Sequence, residues 1–374
     1  MKDRLIIILF LGFIFISMAV TMVMPQRDFS ARENRYLNKR PEITVEKVIN
    51  GEFEEEYKDY INDQFPLRDE FLRLSSEVRY LIGIRDINGV YIGKDGYLLE
   101  KHDKSEFESD TAGQNIMYLS EFAKMLDERA MNYHVIMIPT SSEILTGKLP
   151  AFIKPYRQKE FIDDVSRSVG EEHTINALSI LSGHADEYIY YKTDHHYTTL
   201  GAYYVYEEWA EKAGIKINDR KDFEVEKITE EFFGTLDAKT HLAQSGDTIF
   251  LYTLKDQTEY EICFDESYSA SDMYNMEALK NRDKYSVFLD GNHEILEIQT
   301  QCDTDRKILV IKDSFAHSFI PFMINGFSRI DVIDLRYYNK SVKELIDRNG
   351  YTDVLVLYSV VNFATDSNIF KIVR

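Results

Sequence analysis

Two stretches of this chain hold side chains whose types and spacing could carry a reaction. The first is KTDHHYTTLGAYYVYEEW, Lys192 to Trp209, in which Asp194 and His196 stand two residues apart. An extended backbone through a strand's carboxyl edge would point both to one side and His195 to the other. A carboxylate beside an imidazole can accept its ring N–H, fix the tautomer and stabilise the imidazolium. The second is RKILVIKDSFAHSFIPFM, Arg306 to Met323, an aliphatic run followed by Lys312-Asp313-Ser314 and a helical pattern. A serine at a strand-to-helix turn meets unpaired N–H groups and a positive dipole end, which stabilise a developing oxyanion. A general base, its orienting acid and a serine are the groups that nucleophilic acyl transfer needs. Each piece also has a plainer reading, a polar strand end for Asp194 and His196 and an ordinary N-cap for Ser314.

Other candidates surround these. Asn292, in LDGNHE, could donate to an oxyanion or simply make a turn. Arg336 could clamp a carboxylate or a sugar hydroxyl, or form a surface ion pair. His317 follows Ser314 by three residues on the same helical face, as a structural neighbour rather than a rival base. A metal reading would gather Asp194, His195 and His196 with His293 or His317, like the DHH box of manganese phosphoesterases. Such sites need further clustered Asp ligands, and here the candidates are scattered. No metal ligand and no cofactor are therefore expected.

These groups need elements to position them. Lys2 and Arg4 precede an uncharged apolar run from Leu5 to Met24, long enough to span a bilayer as a helix. The run continues past Ser17-Met18-Ala19, which favours a retained anchor, although that triplet could serve as a cleavage site. Either way the rest of the chain is exported. Residues 26–42 read as an extended stalk. Apolar positions from Val45 to Ile61 predict a helix over residues 44–65, with Thr44 as N-cap and Pro66 as stop. A second helix runs from Leu67 to Leu81, and GVYIGKDGYLLE predicts a hairpin about Lys94-Asp95-Gly96.

Beyond residue 110, helices at Ala112–Glu128, Glu160–Val169 and Thr199–Ala213 alternate with short strands. Those strands are His134–Ile138, Glu187–Tyr191, Lys307–Ile311, Ile330–Leu335 and Asp353–Tyr358. A helix is also expected over Ser314–Ile324. This is an α/β pattern with a mostly parallel sheet flanked by helices, interrupted by a β-rich insertion at about 220–300. The expected organisation is an anchor (1–24), a stalk and membrane-proximal helical region (25–110), and a catalytic domain (111–374).

With 44 basic and 64 acidic residues the formal charge is −20, and no basic stripe offsets it. Nucleic acid is thereby excluded as a partner. Cys263 and Cys302 could pair after export or remain buried thiols.

The Asp-His-His run, the Lys-Asp-Ser turn and their flanks resemble the DHHW family of Gram-positive bacteria. That family is similar to the alginate O-acetyltransferase branch of SGNH hydrolase-like proteins. The likeness extends to SARENRYLNKRPEIT, INDQFPLRDEF, GVYIGKDGYLLE, the strand ending Ile138-Pro139-Thr140 and DVIDLRYYN. It implies an SGNH-like fold in which Asp194 orients, His196 is the base and Ser314 the nucleophile. It also implies transfer of acetyl groups to a cell-surface or secreted polysaccharide, supplied by a membrane-bound O-acyltransferase. Two departures stand out: Tyr197 replaces the family's tryptophan, and Lys312-Asp313 precedes Ser314 where ordinary SGNH enzymes have Gly-Asp. Tyr197 and His195 join Asn292 and Arg336 as oxyanion or substrate candidates. A glycan esterase with the same triad and a non-catalytic polysaccharide-binding protein are the other readings.

Overall fold

The computed structural model describes residues 2–30, 32–33, 35–270 and 272–374. They form two compact units, one of residues up to Ile87 with Ala238–Leu242, the other of Asn88–Asp237 with Ala243–Arg374.

The first unit holds α1 (Lys2–Val23), α2 (Val45–Ile49), α3 (Glu52–Gln64) and α4 (Arg68–Leu81). Among the described residues α1 alone is long and apolar enough to cross a membrane. Thr44 caps α2, accepting from the Lys47 N–H, but the helix expected over 44–65 breaks at Gly51. There φ is +83°, a conformation glycine adopts at little cost. Residues 26–42 are not a free stalk either. Asp63, buried on α3, takes a fork from Arg35 and bonds of 2.9 Å from the Asn38 N–H and side-chain amide. The Arg35 hydrogen bond, outweighing burial, draws the Asp63 pKa down to about 2. This clasp joins the SARENRYLN and INDQFPLRDEF stretches, which no pattern in the sequence marks as pairing.

The second unit is built on strands β1 (Val90–Ile92), β2 (Leu98–Glu100), β3 (Asn132–Ile138), β4 (Thr174–Ile175), β5 (Phe223–Phe232) and β6 (Asp247–Leu254). They continue with β7 (Tyr260–Phe264), β8 (Tyr268–Ala270), β9 (Ile295–Thr300), β10 (Lys307–Lys312), β11 (Arg329–Ile333) and β12 (Asp353–Ser359). An eight-stranded sheet has the order β8-β7-β9-β11-β10-β12-β3-β4. From β11 to β4 its neighbours are parallel; β8, β7 and β9 extend it antiparallel. The β-rich stretch thus divides. β5 and β6 pair as a separate hairpin, while β7, β8 and β9 join the main sheet.

Alternation sends Ile308, Val310, Leu355 and Leu357 to one face, against Tyr206 and Trp209 of α7 (Thr199–Lys212). Leu309, Ile311, Val354 and Val356 go to the other, against Leu119 and Phe122 of α5 (Asp110–Glu128) and Phe161 of α6 (Lys159–Val169). Both faces are covered, as a parallel sheet requires. Cys263 lies on β7 and Cys302 beyond β9, and the thiols are unpaired.

The hairpin β1–β2 donates the Leu98 N–H to the Lys192 carbonyl at 2.8 Å, pinning the start of the Asp-His-His loop. Just past β2, His102 is buried with Nδ1 3.2 Å from Glu106 and Nε2 3.3 Å from Glu100. Burial opposes its charge, but the two carboxylates prevail and raise its pKa to about 9. A raised folded-state pKa contributes stability that is whole below the unfolded value of about 6.5 and is lost as pH rises through about 9. The expected result is a fall in unfolding free energy of about 3 kcal/mol across that window. Chemical denaturation at several pH values should show it, and His102→Gln should flatten it.

Candidate active site

The loop Tyr191–Tyr197 is not a strand. It is a tight bend closed by the bridge between Tyr190 and Tyr197, and the strand expected at Glu187–Tyr191 is absent there. What holds the bend is the carboxylate of Asp247, on β6. It accepts the Lys192 and Thr193 N–H groups at 2.7 Å each, and the hydroxyls of Thr193 at 2.6 Å and Tyr188 at 2.5 Å. The N–H groups of Leu236 and Asp237 meanwhile donate to the Thr193 carbonyl.

Asp194 therefore projects into a ring of donors. Its Oδ1 accepts the His196 backbone N–H at 3.0 Å and contacts His196 Nδ1 at 2.6 Å; its Oδ2 accepts the Thr235 N–H at 2.9 Å and hydroxyl at 3.1 Å. Burial alone would raise this carboxyl. The His195 and His196 rings and the donated bonds overcome that and hold it well below the usual carboxylate range. Ionised Asp194 fixes the Nδ1–H tautomer, leaving Nε2 as the acceptor 2.8 Å from Ser314 Oγ. Ser314 lies at the carboxyl end of β10, inside the parallel part of the sheet. Asp194, His196 and Ser314 thus form one continuous hydrogen-bonded chain, assembled from a bend and a strand end 118 residues apart.

The sequence matches the model of the DHHW protein family over residues 87–333. The chain belongs to the DHHW family. Among solved structures, a DHHW family protein from Eubacterium siraeum shares 25% identity at a TM-score of 0.65, covering 76% of this chain and 95% of that one. Bacillus cereus PatB1 carrying a sulfonyl adduct shares 21% identity at a TM-score of 0.64, covering 75% and 97%. PatB1 in a second structure gives 21%, 0.60, 74% and 97%. These likenesses show that the chain shares the fold of PatB1. No curated protein matches the sequence.

In this DHHW protein Ser314 is not an N-cap. Asp313 is the cap, accepting the Phe315 N–H at 2.9 Å. The other Asp313 oxygen takes the Ser359 N–H and the Asn362 amide, each at 2.8 Å, locking the turn to the end of β12. The helix expected over Ser314–Ile324 is two short 3-10 segments, Ser314–Ser318 and Ile320–Met323, with Pro321 in the second. So brief a 3-10 turn carries little macrodipole, and its Phe315 N–H is already taken.

Tyr285 completes the setting. Its ring stacks on His196 at 3.9 Å and 12°, and its hydroxyl donates to the Ser314 carbonyl at 3.1 Å. Behind the serine, Lys312 is buried with Nζ 2.8 Å from His317 Nε2 and 3.1 Å from Asp334. Burial and the Lys312 cation push His317 far below its usual range, so it is neutral and a poor general base.

The remaining candidates fall elsewhere. His195 does not point away; its ring lies 3.9 Å from that of His196, and its Nδ1 is 2.7 Å from Thr235 Oγ1. Tyr197 is wholly buried in the core, its ring against Phe315. Arg336 is no loose surface cation but a clamp on buried Asp334, and it also donates to Asn292 at 3.1 Å. Asn292 makes no bond to Ser314 among the described residues. His293 sits on Asp265 and His317 on Lys312, so neither joins Asp194, His195 and His196. Asp194, His195 and His196 bring one possible ligand atom each within 4.8 Å of one another, while both Asp194 oxygens are engaged in hydrogen bonds with His196, its Nδ1 included, and with Thr235.

Sequence reading missed Tyr285, Asp247, Gly234 and Thr235. Only Gly234-Thr235 left a signal, a glycine after two phenylalanines. A Cβ at Gly234 would lie 2.2 Å from the Asp194 Cβ, so no other residue fits. Gly234→Ala should slow sulfonyl fluoride modification of Ser314 by about 10²-fold or more, with far-UV circular dichroism unchanged. Asp194→Asn should slow it about 10³–10⁴-fold by presenting the wrong tautomer. Tyr285→Phe, which keeps the stack and loses the hydroxyl's bonds to the Ser314 carbonyl and Ser318 Oγ, should cost about fivefold or more in the same assay.

Proposed function

We propose that this protein is an extracytoplasmic O-acetyltransferase that modifies hydroxyl groups of a cell-surface or secreted polysaccharide. The observation that carries the reading is the chain Asp194–His196–Ser314, with Ser314 Oγ 2.8 Å from His196 Nε2. In the proposed cycle His196 Nε2 takes the Ser314 proton as Oγ attacks the acetyl carbonyl carbon, and Asp194 stabilises the imidazolium. The tetrahedral intermediate collapses, the bond to the leaving group breaks, and His196 returns its proton to that group. An acceptor hydroxyl then gives its proton to His196 and attacks the carbonyl of acetyl-Ser314; as the bond to Oγ breaks and the new ester forms, His196 passes that proton to Oγ and free serine is restored. Neutral His317 and the Lys312–Asp334 pair take no proton in this scheme.

The proposed donor is a membrane-bound O-acyltransferase that presents acetyl groups on the outer side. The apolar helix α1 supports it: we propose that it is retained as an anchor, and an anchored domain stays within reach of such a donor. Esterase activity shares every step to the acetyl-enzyme and differs only in whether water or a sugar hydroxyl resolves it.

The test is intact-mass analysis after exposure to p-nitrophenyl acetate. The expected outcome is a gain of one acetyl group, absent in Ser314→Ala and indifferent to chelator. Added oligosaccharide should shorten the lifetime of the adduct and take up the acetyl group if transfer is the reaction. Acetate release unaffected by any acceptor would favour hydrolysis, and no adduct at all would sink the proposal.

A further inference from the structure

We infer that α4 lies in the membrane surface beside the anchor, with lipid as the partner of its outer face. This rests on the retention of α1 proposed above.

Leu67, Phe71, Leu74, Val78, Leu81 and Ile82 fall within about 100° of arc along α4 and its ends. Yet they are between 41% and 80% exposed. The other side of the helix is the inward one, where Ser76 is buried. Along the flank, Arg73 pairs with Glu70 and Glu77. An apolar stripe bordered by charged side chains that can reach back to water is the pattern of an interfacial helix.

The chain leaving α1 holds α4 close. Only four residues past Val23, the Arg27 N–H donates to Gln64 Oε1 and its carbonyl accepts from Gln64 Nε2, both at 2.9 Å. The Arg27 guanidinium reaches the Asp63 carbonyl and Asp69, and the Gln26 amide reaches the Tyr60 hydroxyl. The elbow between α3 and α4 is therefore fastened to the first residues outside the anchor.

The apolar surface is also continuous with the anchor. The Phe13 ring lies 6.4 Å from Phe65 and 6.0 Å from Phe71, which contact each other at 5.7 Å. Phe13 belongs to α1 itself, so this ring cluster joins the outer face of α4 to the apolar surface of that helix. The stripe to which Phe71 belongs is thus continuous with the apolar surface of α1.

The test uses the full chain with Cys263→Ser and Cys302→Ser, reconstituted in phosphatidylcholine–phosphatidylglycerol vesicles. Single cysteines at Leu74→Cys, Val78→Cys and Arg73→Cys carry an environment-sensitive fluorophore. Intact mass first establishes that residues 1–24 are present, so loss of the anchor is seen separately from failure of the helix to meet lipid. The expected result is blue-shifted emission at positions 74 and 78, quenched by doxyl lipid and shielded from iodide, with the reverse at 73. Iodide quenching at 74 and 78 equal to that at 73 would overturn the inference. Shielding from both quenchers, the mark of a protein cover, would overturn it too.

Discussion

A carboxylate buried away from water is tolerated only where its lone pairs meet donors, and the second unit is arranged around meeting that demand at Asp194. Four donor groups converge on it, from the backbone and ring of His196 and the backbone and hydroxyl of Thr235. The backbone donors fix its position and leave the ring N–H of His196 a single direction in which to point. The approach of the Gly234 backbone, which no side chain could share, brings Thr235 within reach. Asp247 makes the same kind of demand one layer further out, drawing Lys192 and Thr193 onto β6. Burial raises the Asp247 carboxyl, and its donors offset part of that rise. The hairpin β5–β6 is in this sense the mould of the Asp-His-His bend.

The serine is held by an independent device. Asp313 caps the 3-10 turn with one oxygen and reaches β12 with the other, so the turn cannot shift without breaking bonds to a central strand. Tyr285 links the two devices, lying flat on the His196 ring while its hydroxyl bonds to the carbonyl of Ser314. His196 and Ser314 come from separate turns, and the 2.8 Å between them is the sum of two rigid placements.

Where burial and period settle a conformation, the sequence was legible. The aliphatic runs of β3, β10 and β12 and the amphipathic patterns of α5, α6 and α7 lie where pattern places them, to within a residue or two at their ends. The Asp-His-His segment was misread for a physical reason. Tyr188 to Tyr191 is aromatic and apolar like a strand, but its neighbours' backbone donors are satisfied by the Asp247 side chain, about 55 residues on. No local pattern reports such a partner. The turn after β10 was misread because a capping aspartate and a serine occur together at α-helix and 3-10 starts alike. Pro321 was the one local hint. Two residues apart was the right spacing for Asp194 and His196, though the cause is a side chain folding onto the next backbone, not the strand alternation expected.

The two units follow one rule. In the second unit buried polar groups are matched by fixed donors, and Asp63 shows the same logic in the first, where Arg35 and Asn38 answer a buried carboxylate. What differs is the treatment of apolar surface. The sheet covers its hydrophobic faces on both sides with helices, whereas α4 leaves a continuous stripe outside. Scattered exposed leucines need no explanation, but a stripe in helical register does, because folding alone gains nothing from aligning residues that stay in water. The alignment makes physical sense if another apolar phase finishes the burial. Phe71 of that stripe meets Phe13 of the apolar helix α1, so lipid around α1 is the phase the inference assigns to it.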